Sequence, residues 1–134
     1  MRRRRRRVGR RAVEECVKYA KGRERFGQPS WQHQAIGHKI ADMAINVEAA
    51  RVLTYQAAWL VDKQHRNLKA VAFAEAFAAD AAMKSPWMRC RSSAATATCR
   101  NTRSEKLMRD VKVFQIYEGT SEIQRNVIVR ELFR

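Results

Sequence analysis

The sequence predicts an all-α fold, an antiparallel bundle of four helices. Apolar residues recur at helical spacing over four stretches of the chain, which is typical of amphipathic helices. Short polar connections separate the longer stretches, and short connections favour antiparallel neighbours. With 134 residues, the chain has the size of one domain and can bury roughly two thirds of its unfolded surface. A single helical domain with its own core is therefore expected.

The first helix is predicted from about Val8 to Arg25. One apolar face recurs there at helical spacing, formed by Val13, Cys16, Val17 and Ala20. The sequence Phe-Gly-Gln-Pro-Ser at 26–30 then interrupts the pattern, since glycine and proline punctuate helices.

A second helix is predicted from about Gln34 to Gln64, and a polar turn separates it from a third, Ala-rich helix from about Leu68 to Met83. The apolar stripe of the second helix is formed by Ile36, Ile40, Met43, Val47 and Ala50, with Tyr55 and Trp59 further on. The third helix adds Val71, Phe73 and Phe77. We expect Ile36, Ile40, Met43, Val47 and Phe77 to form the core.

The last helix is predicted to open at Ser121, after the short segments Glu105–Asp110 and Val111–Tyr117. Ser121 and Gln124 have the spacing of a capping box, in which each side chain bonds a free backbone N–H of the first turn. One face of this helix is lined by Ile123, Val127, Ile128 and Leu132.

Charge is unevenly distributed along the chain. The net charge is +15, from 28 basic and 13 acidic residues. Residues 1–11 hold eight arginines and no acid, and residues 84–104 hold five basic residues and no acid. We therefore divide the chain into a basic segment at 1–10 and a helical domain at 11–134 that carries an anomalous segment at 84–104.

The arginine run has two interpretations. A basic arm attracts nucleic acid by releasing counterions from phosphates. Alternatively, residues 1–10 are disordered or misframed. The second interpretation is favoured, because no aromatic residue is interleaved and no nucleic-acid-binding module follows.

Cellular location is predicted from what the sequence lacks. No run of 18 apolar residues is present, and the basic start is not followed by the apolar region of a signal peptide. Three cysteines without metal-ligand spacing indicate reduced thiols and no metal site. We expect a cytoplasmic protein, or a mitochondrial-matrix protein in a eukaryote, without membrane contact.

Two motifs stand out from an ordinary bundle. Residues 23–27, Arg-Glu-Arg-Phe-Gly, put cations and an aromatic ring at a helix end, where an anionic or planar ligand could bind. Residues 115–121 put the carboxylate of Glu118 in a loop beside a helix N-terminus. Taken alone, the first is more often a solvated helix end and the second a residue that complements the helix dipole.

Both motifs resemble segments of the acyl-CoA dehydrogenases. The sequence YEGTSEIQR at 117–125 is similar to the family's C-terminal signature, and EKLMRD at 105–110 and RERFG at 23–27 match further blocks. Residues 33–36, 40–43 and 57–59 follow in the same order and spacing. The resemblance covers about 11–83 and 105–133, and it is strongest to the short- and medium-chain members.

The resemblance implies a flavoenzyme that desaturates acyl-CoA thioesters and works as a homo-oligomer, a tetramer in this family. Glu118 matches the catalytic base that removes the α-proton, and apolar surroundings would have to raise its pKa for that task. Gly119 matches a residue beside the substrate. The positions that match contacts to FAD are Thr120, Glu122, Arg23, Arg25, Phe26, His33 and Gln34.

The chain also departs from the family. An N-terminal helical domain and a β-barrel domain are missing, so we expect a fragment that is inactive alone. The alternatives are a non-enzymatic gene remnant and a helical interaction protein with a basic arm.

Residues 84–104 replace the family's helix end and glycine loop. Codons allowed for these residues, read one frame over, encode VAMDAVQVFGGNGYMPEHPV, which resembles the missing segment and has the right length. We infer one lost base near Lys84 and one gained base near Ser104. The substituted segment is expected to be irregular, with Pro86 ending the third helix early.

Overall fold

The computed structural model describes residues 2–64, 67–93, 103–117 and 119–134, and the side chains of 2–6, 85–93, 103–105, 107 and 108 are outside this description. These ranges contain five α-helices: α1 Arg2–Gly22, α2 Gln34–Asp62, α3 Leu68–Ser93, α4 Arg103–Lys112 and α5 Ser121–Leu132. Two-residue strands, β1 Glu24–Arg25 and β2 Gln28–Pro29, form one antiparallel hairpin. The all-α class is confirmed, but a fifth, short helix at 103–112 joins the predicted four.

Helix α3 lies at the centre of the bundle and packs against each of the other four helices. Ala50 of α2 packs with Ala78 and Ala81 of α3. These alanines lie at nearly equal chain distances from the turn that joins the two helices, so α2 and α3 are antiparallel. On the other side, Ala12 and Cys16 of α1 pack against Met43 of α2.

Most buried apolar side chains in the described part are small. Met43 is fully buried, as predicted. Ile40 is partly buried against the α1–α2 cluster and Phe77 against the α2–α3 cluster, while Ile36 and Val47 are half-buried. The predicted core positions therefore face inward, but alanines from α3 fill most of the interior, because methyl side chains let helices approach closely.

Several large apolar side chains that we placed on helix stripes are exposed. Tyr55 and Trp59 of α2 and Ile123 and Leu132 of α5 are all more than half exposed. Helix α5 packs mainly against α3, so one side of it is covered and the side that carries Ile123 is not.

Helix α1 begins at Arg2 rather than Val8, so residues 2–10 are helical and not disordered. Arginine is a good helix former. Arg10 donates to Glu14 at 2.8 Å and Arg11 pairs with Glu15 at 3.0 Å, one helical turn apart. These pairs help to extend the helix into the basic segment. The misframed origin of this segment stays a prediction.

Helix α3 continues to Ser93, so the prediction that Pro86 ends it early is wrong, as is the expected irregularity of 84–93. Proline removes one backbone hydrogen bond and crowds the preceding turn. The helix N-terminal to it is held by buried alanines, including Ala78, Ala79, Ala81 and Ala82. The sequence after it is Trp-Met-Arg-Cys-Arg, in which methionine and arginine favour helix. The remaining part, 94–102, lies outside the described residues.

Among the helices in the described ranges, none is long and apolar enough to cross a membrane.

Candidate functional site

The first group of candidate residues lies in the hairpin between α1 and α2. Arg25 pairs with Gln28 across the hairpin, and Phe26 and Gly27 form the two-residue turn with φ values of 52° and 76°. A turn with both central residues at positive φ is the type that suits the twist of a hairpin, and glycine adopts it freely. The turn leaves the ring of Phe26 95% exposed.

His33 fixes this hairpin from the start of α2. Its Nε2 lies 3.0 Å from the carbonyl oxygen of Arg25, and its Nδ1 lies 3.1 Å from Nε2 of Gln28. The neutral ring with its proton on Nε2 satisfies both contacts, because it donates to the carbonyl and accepts from the amide. The His33 ring also meets the Phe26 ring edge-on at 5.9 Å between centroids.

The hairpin carries two arginines and an exposed aromatic ring. Arg23 is half-buried after the end of α1, and Arg25 is exposed on β1, next along the chain to the exposed ring of Phe26. Guanidinium groups pair with phosphates, and an exposed aromatic ring packs against a flat group. Gln34 is exposed in the first turn of α2.

The second group of candidate residues lies at the N-terminus of α5. Thr120, not Ser121, is the N-cap residue, and its side-chain oxygen accepts from the N–H of Ile123 at 3.3 Å. The predicted capping box at Ser121 is therefore wrong by one residue, because the Ser121 hydroxyl donates instead to Oδ1 of Asp80 at 3.2 Å.

Gly119 requires its lack of a side chain. Its φ is 93°, and a Cβ atom there would lie 3.0 Å from Nε2 of Gln124. Glu122 is exposed in the first turn of α5, and hydrogen bonds from its own backbone N–H and from Thr120 lower its pKa. Glu118 lies between Tyr117 and Gly119, outside the described residues.

A carboxylate that we did not single out joins this region to the centre of the bundle. Asp80 of α3 accepts from Nε2 of Gln115 at 2.9 Å, from the hydroxyl of Ser121 and from NH2 of Arg125 at 2.6 Å. The sequence offered one signal for it. Asp80 is a half-buried acid directly followed by the buried Ala81 and Ala82 of α3, and a half-buried carboxylate needs donors.

Burial by itself would raise the pKa of Asp80, but its partners have the larger combined effect. Hydrogen bonds from Gln115 and Arg125, the positive charge of Arg125 and the bond from Ser121 together hold the pKa below its usual value. The carboxylate is therefore stabilised in its charged form.

The two groups of candidate residues are far apart within one chain. Asn46 of α2 lines the same surface cavity as Asp80 and Arg125, next to the N-terminus of α5. The first turn of α2, at Gln34, lies about 18 Å along the helix axis from Asn46, at ~1.5 Å per residue. One ligand-binding centre therefore does not include both groups unless the ligand is long or a second copy of the chain contributes one of them.

The arrangement of helices is that of a helical domain of flavoproteins. Residues 4–133 match the family model described as "Acyl-CoA dehydrogenase, C-terminal domain". The chain belongs to the acyl-CoA dehydrogenase family. The flavin expected from the sequence is supported by a structural neighbour, the FAD complex of PigA, which superposes with a TM-score of 0.90 at 25% identity over 93% of this chain and 33% of that one.

Relatives with known names agree with this assignment. A probable acyl-CoA dehydrogenase of Bacillus subtilis is 38% identical over 92% of this chain and 32% of its own length. Cyclohexane-1-carbonyl-CoA dehydrogenase of Geobacter metallireducens is 39% identical over 92% of this chain and 32% of its own length. Butyryl-CoA dehydrogenase of Megasphaera elsdenii superposes with a TM-score of 0.91 at 34% identity, over 95% of this chain and 33% of that one. The chain thus spans about a third of the length of these relatives.

Proposed function

We propose that this chain is the base-carrying domain of an FAD-dependent acyl-CoA dehydrogenase and that Glu118 removes the α-proton of an acyl-CoA thioester. The main support is that the YEGTSEIQR sequence at 117–125 lies in a domain that belongs to the family. When bound, FAD supplies the acceptor for the β-hydrogen and its electron pair.

The residues around Glu118 have distinct roles in this proposal. Gly119 lies beside the thioester in this proposal, and its φ of 93° is a backbone conformation that favours glycine at this position. Thr120 and Glu122 bind FAD from the first turn of α5. Both are near the surface, where a ligand held by another domain or subunit can reach them.

The hairpin residues act on a different copy of the flavin. Arg23 and Arg25 bind its pyrophosphate, and Phe26, His33 and Gln34 pack near them. Since the hairpin and the α5 N-terminus are well separated, we propose that the hairpin completes the flavin site of a neighbouring subunit. The active protein is then a homo-oligomer, a tetramer by family resemblance.

We propose further that the 134-residue chain alone neither binds FAD nor oxidises acyl-CoA. Proton abstraction from carbon requires the base about 3 Å from its target in a near-attack pose. We propose that the surfaces that hold flavin and thioester in that pose belong largely to the two thirds of the relatives' length that this chain does not span.

A first experiment tests the chain as it stands. The purified protein is mixed with FAD and a range of acyl-CoAs, and flavin absorbance is followed without oxygen. No bleaching above background is expected. Bleaching that disappears in Glu118→Gln would show that this chain is an enzyme by itself.

A second experiment supplies the missing part. This chain is fused in place of the C-terminal third of the B. subtilis relative, with residues 85–104 either as they stand or replaced by the sequence read in the other frame. Only the second fusion is expected to bleach flavin with acyl-CoA. Glu118→Gln should abolish that activity. Glu131→Gln, which changes a carboxylate near the C-terminal end of α5 that pairs with Arg134, should not. If the fusion with the replaced segment is active and Glu118→Gln leaves its activity unchanged, the proposal is refuted.

A further inference from the structure

Asp80 connects the two ends of a single loop. Gln115 is the last residue of the 3₁₀ turn at Val113–Gln115, and Ser121 is the first residue of α5. Both donate side-chain hydrogen bonds to the same atom, Oδ1 of Asp80, at 2.9 and 3.2 Å. The five residues between them, 116–120, form the loop in which Glu118 lies.

The third donor fixes the direction of α5. Arg125 donates from NH2 to Oδ2 of Asp80 at 2.6 Å and from NH1 to the carbonyl oxygen of Ser121 at 2.9 Å. One guanidinium group thus ties the first turn of α5 to α3. Both oxygens of the carboxylate are used, and charge-assisted hydrogen bonds of this kind are stronger than neutral ones.

Two of the described loop residues lie at the surface of the bundle. Ile116 is 57% exposed and Gly119 is exposed. Tyr117 rests beside Phe114, with ring centroids 5.9 Å apart, within its own segment. The hydrogen bonds from Gln115 and Ser121 to Asp80 join both ends of this loop to α3.

We propose that Asp80 is a positioning residue for Glu118, because it clamps both ends of the loop 116–120 against α3. The role in catalysis rests on the proposed function, but the clamp itself does not. Asp80 is predicted to make no contact with substrate or flavin, and to act through Gln115, Ser121 and Arg125.

The clamp is tested on the 134-residue chain by backbone ¹⁵N relaxation, well below the melting temperature. In the wild type, the amides of Ile116, Tyr117 and Gly119 should have order parameters close to those of α2, about 0.85. In Asp80→Asn they should fall below about 0.6 while the α2 amides stay rigid. The matched control is Asp62→Asn, the same change at an exposed position of α2.

A purely structural role for Asp80 would give a different result. Asp80→Asn would then lower the melting temperature, but the loop amides would keep their wild-type order parameters in the folded protein, and this outcome overturns the proposal. If Asp80→Asn does not fold, Gln115→Met removes one donor and keeps the shape of the side chain. It must then loosen Ile116 and Tyr117 for the proposal to stand.

The relaxation measurement involves neither flavin nor thioester. It therefore tests the clamp by Asp80 separately from the proposed role of Glu118 as the base. A loop that loosens in Asp80→Asn supports the clamp even if the fusion protein shows no activity. A loop that does not loosen refutes the clamp even if Glu118→Gln abolishes activity.

Discussion

The hydroxyl of Ser30 donates to the carbonyl oxygen of Arg23 at 2.5 Å, and the backbone N–H of Ser30 donates to the same oxygen at 2.7 Å. Arg23 directly follows the last residue of α1, and Ser30 directly follows the second strand of the hairpin. Two hydrogen bonds to one acceptor thus close the base of the hairpin that carries Arg25 and Phe26.

Ser30→Ala should destabilise the protein by about 1 kcal/mol, the typical net value of one hydrogen bond. Ser30 is only 7% exposed, so water does not easily replace the lost donor. Urea unfolding followed by circular dichroism measures the loss. Gln32→Ala, at the exposed neighbouring position, is the control and should change little. Equal unfolding midpoints for Ser30→Ala and the wild type would contradict this prediction.

Thr120→Ala should cost ~1 kcal/mol, because it removes the side-chain acceptor at the N-terminus of α5. Thr120→Ser keeps the oxygen and should retain most of the stability. Ser121→Ala distinguishes this cap from the predicted one, since Ser121 bonds Asp80 and does not cap the helix. A loss of α5 helicity in Ser121→Ala but not in Thr120→Ala would show that the cap is assigned to the wrong residue.

Met43→Ala should cost roughly 2–5 kcal/mol, the usual range for removing a large buried side chain. Met43 is fully buried between α1 and α2. Ile45→Ala, on the same helix at 65% exposure, should change stability by less than about 0.5 kcal/mol. Similar unfolding midpoints for the two variants would mean that the α1–α2 contact is not the core.

The stabilisation from Asp80 should depend on pH in a definite direction. Its pKa is held below the usual value in the folded protein. The unfolded value is about 3.9, so the contribution is complete above that pH and is lost as pH falls through the lower, folded pKa.

The measured quantity is the difference in unfolding free energy between the wild type and Asp80→Asn, from pH 6 down to pH 3. This difference should shrink only below about pH 4. Arg125 remains charged throughout, but Glu122 titrates nearby, so both proteins carry Glu122→Gln. A difference that grows as the pH falls from 6 to 5 would instead mean that the folded pKa of Asp80 is raised above its unfolded value.

Restoring the other reading frame over residues 85–104 should raise the melting temperature by at least a few degrees, since even 1 kcal/mol shifts a domain of this size that far. The restored sequence replaces Pro86 and Arg89 by alanine and the other arginines of 85–104 by uncharged residues, and it places its Gly-Gly pair at positions 94 and 95, directly after the end of α3 at Ser93. The control carries the same residues in scrambled order. A restored protein that melts at or below the original would remove the support for a shifted frame.

Much of the fold follows from sequence periodicity, and the differences have local causes. The start of α2 at Gln34 was predicted because Gly27 and Pro29 interrupt the helical pattern before it. The end of α3 was not predicted correctly. Proline is a strong local signal for the end of a helix, but the packing of the preceding turns against α1 and α2 outweighs it here. The start of α1 was also placed too late, because the prediction gave more weight to the charge of the arginine run than to the helix propensity of arginine.

The candidate site was predicted as two separate motifs, and the structure adds the distance between them. The turn near Phe26 and Gly27 can be predicted from the sequence. The contacts of His33 with Arg25 and Gln28 cannot, because they depend on how the chain folds back on itself. Asp80 was missed because its three donors lie more than 30 residues away along the chain, and no periodic pattern reports such contacts.

Helix α3 presents mainly methyl groups to its neighbours, and this bears on the thermodynamics of the domain. Unfolding exposes less apolar surface from an alanine interior than from one built of leucine and phenylalanine. The heat capacity change of unfolding should therefore lie below the usual ~12–15 cal/mol/K per residue. A small heat capacity change flattens the dependence of stability on temperature. Calorimetry should accordingly find a broad stability curve, with little weakening of the fold as the solution is cooled.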